Sequence, residues 1–253
     1  MHEMTHGDAS ADHPAAERDG GDATLAHSEI ARFAALADRW WDPAGPMAPL
    51  HAMNPARIGW ISAGIAARFG AGARPDVLDV GCGAGLAAEA LARAGHRVLG
   101  LDAAEELVAV ARAHAAPSDL PLSYRVGRAE ELAVEGARFA VVTALEVIEH
   151  VPDPGRFVAL LSGLLAPGGL LFVSTLNRTS RAWLLAKFGA EYVARMLPVG
   201  THRWSGFVTP GELALYGRAA GLRLADTVGL HPRARGWVAG GDCAVNYIAR
   251  LEN

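Results

Sequence analysis

Several common features are scarce or absent in this sequence, and each absence excludes a class of protein. It has only two cysteines, Cys82 and Cys243, which excludes a disulfide framework and indicates a reducing compartment, the cytoplasm. No apolar run approaches the ~18 residues of a membrane span. The formal net charge of -4 argues against nucleic acid as a partner. Residues 1–27 lack the basic start and apolar core of a secretory signal, and we expect a disordered tail there.

The most informative stretch that is present is Val-Leu-Asp-Val-Gly-Cys-Gly-Ala-Gly, at residues 77–85. It predicts a buried strand, a glycine turn and then a helix. Gly81, Gly83 and Gly85 would permit positive φ angles or the close approach of a ligand to the backbone. Asp102 follows the next predicted strand, about 20 residues further on, where an acidic residue typically accepts the ribose hydroxyls of a nucleoside.

The charge around this turn separates two classes of nucleoside. Dinucleotide folds use G-x-G-x-x-G and place a pyrophosphate on the helix N-terminus, whereas this turn is G-C-G-A-G without Lys or Arg between Asp79 and Arg93. An acidic strand end suits a cationic nucleoside such as S-adenosylmethionine, and the whole string resembles motif I of the class I methyltransferases. We expect Gly81, Gly83 and Asp102 to bind this cofactor. Asp79 would either orient the turn or accept from the methionine ammonium.

Beyond residue 76, predicted strands and helices alternate, which indicates an α/β fold with a mostly parallel sheet and helices on both faces. The strands are predicted at 77–80, 97–101, 122–126, 139–144, 170–174, 222–230 and 242–250, the last two as an antiparallel hairpin. This is the Rossmann-like, seven-stranded sheet of class I methyltransferases. Residues 28–253 are therefore predicted to form one domain. It begins with a helical lid at 28–70, whose second helix is expected to be capped by Asn54.

Residues 177–207 are longer than the short connection that a minimal fold of this class has between its fifth and sixth strands. Apolar side chains recur there at roughly helical spacing with basic residues on the rim, among them Trp183, Phe188, Tyr192, Arg178, Lys187 and Arg195. The pattern fits a helical cap packed on the core. It fits equally an amphipathic element that enters the membrane interface and contacts anionic head groups.

Glu146, Glu149 and His150 form a second cluster after the fourth predicted strand, at the sheet edge where open α/β folds bind ligands. Three interpretations remain open. The cluster holds a divalent cation, His150 acts as a general base on an acidic hydroxyl, or Glu149 and His150 have only structural roles. Leu145 is expected to pack against the adenine, and Ala129 to place backbone groups at the adenine edge.

Further motifs resemble those of the ubiquinone-biosynthesis O-methyltransferases, and the likeness extends from about Glu29 to Tyr247. The stretches that carry it are Arg39-Trp40-Trp41-Asp42-Pro43, Pro49-Leu50-His51, Asn54-Pro55-Ala56-Arg57, Ser174-Thr175-Leu176-Asn177-Arg178, Gly200-Thr201-His202, Gly229-Leu230-His231 and Val245-Asn246-Tyr247.

The resemblance implies an activity and several roles. Members methylate 2-polyprenyl-6-hydroxyphenol and the 3-demethylubiquinol-type intermediate, which implies both O-methylation steps of ubiquinone biosynthesis. Arg57 would reach the carboxylate of the cofactor, and Glu146, Glu149 and His150 would bind magnesium. The likeness also implies a polyprenyl phenol or quinol substrate and peripheral attachment to the inner face of the cytoplasmic membrane through residues 178–200. Other ubiquinone-biosynthesis proteins are candidate partners.

Two other functions compete with this prediction. The first is a class I methyltransferase that acts on another small phenolic acceptor or on a carbon or nitrogen nucleophile, which motif I does not exclude. The second is a non-catalytic protein that keeps the fold within a membrane-associated assembly. The intact glycine turn, Asp102 and the Glu/His cluster argue against the second.

Overall fold

A computed structural model describes residues 27–179, 206–234 and 236–253. In chain order its helices are α1 (His27–Ala34), α2 (Ala48–Phe69), α3 (Leu86–Arg93), α4 (Glu105–Ala115), α5 (Ala129–Val134), α6 (Pro154–Gly163) and α7 (Pro210–Ala219). Its strands are β1 (Asp76–Val80), β2 (Arg97–Asp102), β3 (Leu122–Val126), β4 (Phe139–Leu145), β5 (Leu165–Leu176), β6 (Arg223–Arg233), β7 (Gly236–Ala239) and β8 (Asn246–Glu252). Short 3-10 turns lie at Ala37–Arg39 and Ile148–His150.

The strands form one sheet in the order β3-β2-β1-β4-β5-β8-β6-β7. Strands β1 to β5 are parallel, and β8 pairs antiparallel with both β5 and β6. The chain order reverses between β1 and β4, so the carboxyl ends of these two strands flank a crevice of the kind in which open α/β sheets bind ligands. The α/β class and the Rossmann-like topology predicted from the sequence are confirmed.

Two hydrophobic layers hold the sheet between its helices. On one face Ile61 and Ile65 of α2 pack with Leu91 of α3, and on the other Phe157 and Leu161 of α6 pack in a separate cluster. All five side chains are at most 1% exposed. Helices therefore cover both faces of the sheet, as its βα pattern predicts.

The sheet has one strand more than the seven predicted, within the described ranges. The extra strand, β7, pairs only with the carboxyl end of β6, from Leu230↔Ala239 to Arg233↔Gly236. It arises in a segment rich in Arg and Gly that has no clear alternation of apolar and polar residues.

Local predictions fail where a turn residue lies inside an element. The turn predicted at Pro167–Gly169 lies within β5 as an irregularity, where the register shifts between Phe139 and Val141 of β4. Helix α2 begins at Ala48, with Pro49 in its first turn, so Asn54 is not its cap. Asn54 is buried, and its amide donates instead to the carbonyl of Leu86 over 3.0 Å.

The first predicted helix, Ser28 to about Trp41, is shorter than expected, because α1 ends at Ala34 and a 3-10 turn follows. This lid packs on α4 and the glycine turn through a cluster that includes Trp40, Met47, Ala84 and Leu107. No helix in the described ranges is both long and apolar enough for a membrane crossing. The predicted tail at 1–27, apart from its last residue, and the interior of the predicted insertion at 177–207 lie outside the described residues.

Candidate active site

The glycine turn between β1 and α3 adopts backbone angles that favour glycine. Gly81, Gly83 and Gly85 have φ angles of 69°, 54° and 92°, in a region that L side chains rarely enter. A Cβ atom at Gly81 would lie 2.5 Å from a methyl of Val147, and one at Gly83 would lie 2.5 Å from the Trp40 ring. The glycines are therefore needed for the backbone conformation and for close packing around the turn.

Asp102, at the end of β2, holds this turn in place. Its carboxylate accepts from the Gly83 N–H over 2.8 Å and from the Ala104 N–H over 2.9 Å. Burial raises the pKa of Asp102, and these backbone donors oppose the rise. Each carboxylate oxygen has a second lone pair, so the side chain retains the capacity to accept from a ribose hydroxyl.

A small cleft opens beside this carboxylate at the carboxyl edge of β1 and β2. Gly81, Asp102 and Ala129 line it together with Gly127 and Phe157. Ala129 is the first residue of α5 and is 4% exposed. The structure thus brings three of the predicted cofactor residues to one cleft. Leu145 is not among the residues that line it and packs instead in the cluster beneath α2.

A buried ionic cluster lies on the β4 side of the turn. Asp79 is 2% exposed and accepts from the Thr143 hydroxyl over 2.6 Å, while its Oδ2 atom has no hydrogen-bond partner. Burial raises the pKa of Asp79 to about 6. Arg57 is 3% exposed, and its Nη1 lies 3.8 Å from Glu146 Oε1. Burial lowers the pKa of Arg57, and the nearby carboxylates oppose this.

Glu146 has the only positive φ, 59°, among the non-glycine residues that the structure describes. Such a backbone costs about 1 kcal/mol or more, and strain of this kind clusters at functional sites. Two bonds fix the residue, because the Ser174 hydroxyl donates to its Oε1 over 2.6 Å and its own N–H donates to the Ser174 carbonyl over 2.9 Å. The fold therefore directs this carboxylate from a sharp bend at the end of β4.

Glu149 lies beside Glu146, and the two carboxyl groups interact directly. The Thr175 hydroxyl donates to Glu149 Oε2 over 2.8 Å. Burial, and next the negative charge of Glu146, raise the pKa of Glu149 to about 8. The two carboxylates therefore do not both ionise readily near neutral pH. A positively charged ligand between them would relieve this repulsion.

His150 is the third member of the predicted cluster. Its ring meets Phe33 of α1 edge to face, with centroids 5.1 Å apart. No group of three His, Cys, Asp or Glu residues is arranged to hold a metal ion in the parts of the chain that the structure describes. The Glu146 and Glu149 oxygens have the chemistry that magnesium prefers. Magnesium binding by all three residues stays a prediction.

Curated relatives identify the family of this chain. The ubiquinone biosynthesis O-methyltransferase of Azorhizobium caulinodans is 46% identical over 235 residues, which are 89% of this chain and 93% of that protein. The protein of the same name from Xanthomonas axonopodis pv. citri is 52% identical over 204 residues, 80% of this chain and 83% of that protein.

The chain belongs to the ubiquinone biosynthesis O-methyltransferase family. A family model described as a methyltransferase domain also matches residues 78–173, which contain the glycine turn, Asp102 and the Glu146/Glu149 pair. This member of the family is an S-adenosylmethionine-dependent O-methyltransferase. That conclusion confirms the predicted enzyme class and cofactor, and it removes the non-catalytic alternative.

Solved structures share the fold at low sequence identity. Magnesium protoporphyrin IX methyltransferase from Synechocystis PCC 6803, with bound S-adenosylmethionine, has a TM-score of 0.61 and 19% identity over 92% of this chain and 99% of that one. A Thermotoga maritima S-adenosylmethionine-dependent methyltransferase, a possible histamine N-methyltransferase, has a TM-score of 0.62 and 18% identity over 88% of this chain and 98% of that one. At these identities the likeness shows the fold alone.

The residue patterns did not predict that hydroxyls position the acidic side chains of this O-methyltransferase, although Ser174 and Thr175 lie in one of the stretches that carry the family resemblance. Thr143 binds Asp79, Ser174 binds Glu146 and Thr175 binds Glu149. The available signal was polarity, since strands buried on both faces are usually apolar throughout. These three residues are fully buried at the carboxyl ends of β4 and β5.

Proposed function

We propose that this O-methyltransferase methylates a catechol-type hydroxyl on polyprenylated phenol and quinol precursors of ubiquinone, in both O-methylation steps. The observation that carries the proposal is the pair of adjacent carboxyl groups, Glu146 and Glu149, at the sheet edge that also presents the donor turn. A phenolic hydroxyl is a donor and a weak acid, so it suits a pair of acceptor oxygens of which one takes up a proton. The names of the relatives support the same class of acceptor.

Methyl transfer is an in-line displacement at the sulfonium carbon, and most of its catalysis comes from alignment and the exclusion of water. Glu146 is aligned by Ser174 and by its bent backbone, and Glu149 is aligned by Thr175. A carboxyl group whose pKa is about 8 is ionised in only about a tenth of the molecules at pH 7, but that ionised fraction is basic enough to accept a proton from a phenol. His150 is the alternative base.

Magnesium is part of the proposal. Glu146, Glu149 and His150 are the residues that would hold it. Bound there, it would lower the pKa of a coordinated phenol. The mutual repulsion of the two carboxylates supports a cation at this position.

We also propose peripheral contact with the anionic inner face of the cytoplasmic membrane through residues 178–200. A polyprenyl tail keeps the acceptor in the bilayer, so the enzyme has to approach the lipid surface to reach it. The alternation of apolar and basic residues in that segment supports this contact. Other ubiquinone-biosynthesis proteins are candidate partners at the same surface.

The experiment is methyl transfer from labelled S-adenosylmethionine to a short-tailed prenyl catechol, with chelator and then with added magnesium. We expect turnover to vanish with chelator and to return with magnesium. Turnover that is unchanged by the chelator would exclude a role for the metal. His150 or Glu149 would then be the base.

Two controls define the acceptor and the membrane contact. Equal turnover on a tailless catechol would contradict the polyprenylated acceptor and favour a small phenol. Sedimentation with vesicles that contain phosphatidylglycerol, compared with pure phosphatidylcholine vesicles, tests the membrane contact. Equal recovery with both vesicles would contradict anionic recognition.

A further inference from the structure

Trp41 joins the N-terminal lid to the glycine turn, although it lies outside the motifs that bind the donor. Its indole N–H donates to the Ala84 carbonyl over 2.9 Å, across 43 residues of sequence. Ala84 is fully buried in the turn. The neighbouring Trp40 packs over Gly83.

This hydrogen bond from Trp41 restrains the part of the turn that has the widest conformational freedom. The peptide that links Ala84 to Gly85 is planar, so its carbonyl and its N–H turn together. Trp41 holds the carbonyl, and the Gly85 N–H donates to the Cys82 carbonyl over 2.9 Å. Both sides of one peptide plane are thus fixed between Gly83 and Gly85, two residues that on their own have wide conformational freedom.

The indole is itself aligned by a stack. The Trp41 and His114 rings are parallel within 5°, with centroids 3.4 Å apart, and His51 meets the indole edge to face at 5.8 Å. His114 Nδ1 lies 2.6 Å from Glu89 Oε1, a carboxylate that is 0% exposed and is also bound by Arg93. The imidazole therefore has a fixed ring plane against which the indole packs.

We propose that Trp41 is a positioning residue for the methyl donor, and that His114, oriented by Glu89, keeps its indole in place. The turn is thereby held in its donor-binding conformation before the donor arrives. A ligand that finds its site already ordered does not have to order it on binding, and its affinity is higher. The proposal depends on the donor alone, so it stands or fails independently of the acceptor.

The test is calorimetric titration of the full chain with S-adenosylhomocysteine. Trp41→Phe keeps an aromatic ring for the stack and removes the N–H. We expect its Kd to rise by about five-fold, the usual worth of one buried hydrogen bond. Hydrogen exchange at the Gly83 and Gly85 amides should accelerate, and the KM for the acceptor should stay within two-fold of the wild-type value.

Trp60→Phe is the matched control. Trp60 lies on α2 and meets Phe172 of β5 edge to face. It should lose stability without losing donor affinity. Equal Kd values for Trp41→Phe, Trp60→Phe and the wild-type protein would overturn the proposal. So would a change in acceptor KM with donor affinity unchanged.

A second pair of variants separates the stack from the bond to Glu89. His114→Ala removes both, and we expect a rise in Kd of about three-fold. His114→Phe restores a flat ring against Trp41 and should recover most of that loss. Failure of His114→Phe to recover any affinity would overturn the role of the stack.

Discussion

The proposed donor half and the proposed acceptor half of this site lie side by side on one sheet edge and are built in opposite ways. On the donor side, at β1 and β2, glycines provide the backbone angles, and the Asp102 carboxylate accepts from two backbone N–H groups. On the acceptor side, at β4 and β5, a glutamate occupies a backbone region that favours glycine, and two carboxylates face one another.

The difference indicates which interactions each half requires from its ligand. The backbone of the glycine turn is held by internal hydrogen bonds, whereas the Asp79 Oδ2 atom beside it has no hydrogen-bond partner. The acceptor side keeps local strain and an unfavourable charge pair, which persist in a fold only when the rest of the structure stabilises them. Such a site favours a ligand that brings a positive charge.

The strain at Glu146 gives the prediction with the largest effect. Glu146→Gly and Glu146→Ala both remove the carboxylate, and both should lower methyl transfer by about 100-fold, the lower range for a group that assists proton transfer. Their stabilities should differ. Glycine accepts a φ of 59° without strain, so Glu146→Gly should be about 1 kcal/mol more stable than Glu146→Ala in urea unfolding.

That order is the reverse of the usual one, in which alanine stabilises the chain more than glycine. Glu146→Gln provides the control, because it keeps a long side chain on the strained backbone. If Glu146→Ala is the more stable variant, the positive φ is not maintained by the fold, and the contrast between the two halves loses its main support.

The donor half should lose affinity when its internal hydrogen bonds are removed. Asp102→Ala leaves the Gly83 and Ala104 N–H groups without their partner, so we expect donor Kd to rise by about 30-fold, or ~2 kcal/mol. Asp102→Asn keeps one acceptor oxygen and should lose less. Isothermal titration measures both, and an unchanged Kd in Asp102→Ala would contradict the assignment.

The two halves also differ in how far the sequence could predict them. The glycines and Asp102 act through backbone geometry at fixed spacing, and a pattern of residues at fixed spacing is visible in a sequence.

Two elements of the fold could not be predicted in this way. Helix α5 has only six residues, too few for a helical period to appear. The strand β7 has no alternation to reveal it.

On the acceptor side the sequence located the cluster but not its internal arrangement. The bond from Ser174 to Glu146 spans 28 residues, and the bond from Thr175 to Glu149 spans 26. Pairings at such separations depend on the register between β4 and β5, which is irregular near Phe139. The same limit applies to Trp41 and His114, whose contact depends on how the lid packs on α4.

Asp79 lies between the two halves and gives a prediction about how stability depends on pH. Burial raises its pKa from 3.8 to about 6, so between these values the folded chain binds more protons than the unfolded chain. The free energy of unfolding should therefore fall as pH rises from about 4 to about 6, by up to about 3 kcal/mol. Asp79→Asn should remove this part of the slope.

Donor binding should also change how the free energy of unfolding depends on pH. If the methionine ammonium pairs with Asp79, it favours the ionised carboxylate, so donor affinity should rise by about 10-fold between pH 5 and pH 7. Thermal unfolding across this range, with and without S-adenosylhomocysteine, measures both effects. A wild-type affinity that does not change with pH would leave Asp79 the role of orienting the turn.

The smallest expected effect comes from two residues of the N-terminal lid, each of which contacts a different half of the site. Phe33 contacts His150 on the acceptor side, whereas Trp41 contacts the turn on the donor side. Phe33→Leu keeps an apolar side chain but loses the edge-to-face contact, which is worth about 1 kcal/mol. We expect the acceptor KM to rise by about three-fold while donor Kd stays constant, the reverse of the result for Trp41→Phe. Phe33 also meets Trp40 edge to face at 6.5 Å, and Trp40 packs over Gly83, so the double variant tests whether this neighbour couples the two contacts; we expect additive changes. Non-additive effects in the double variant would mean that the lid moves as one body and that donor and acceptor binding are coupled through it.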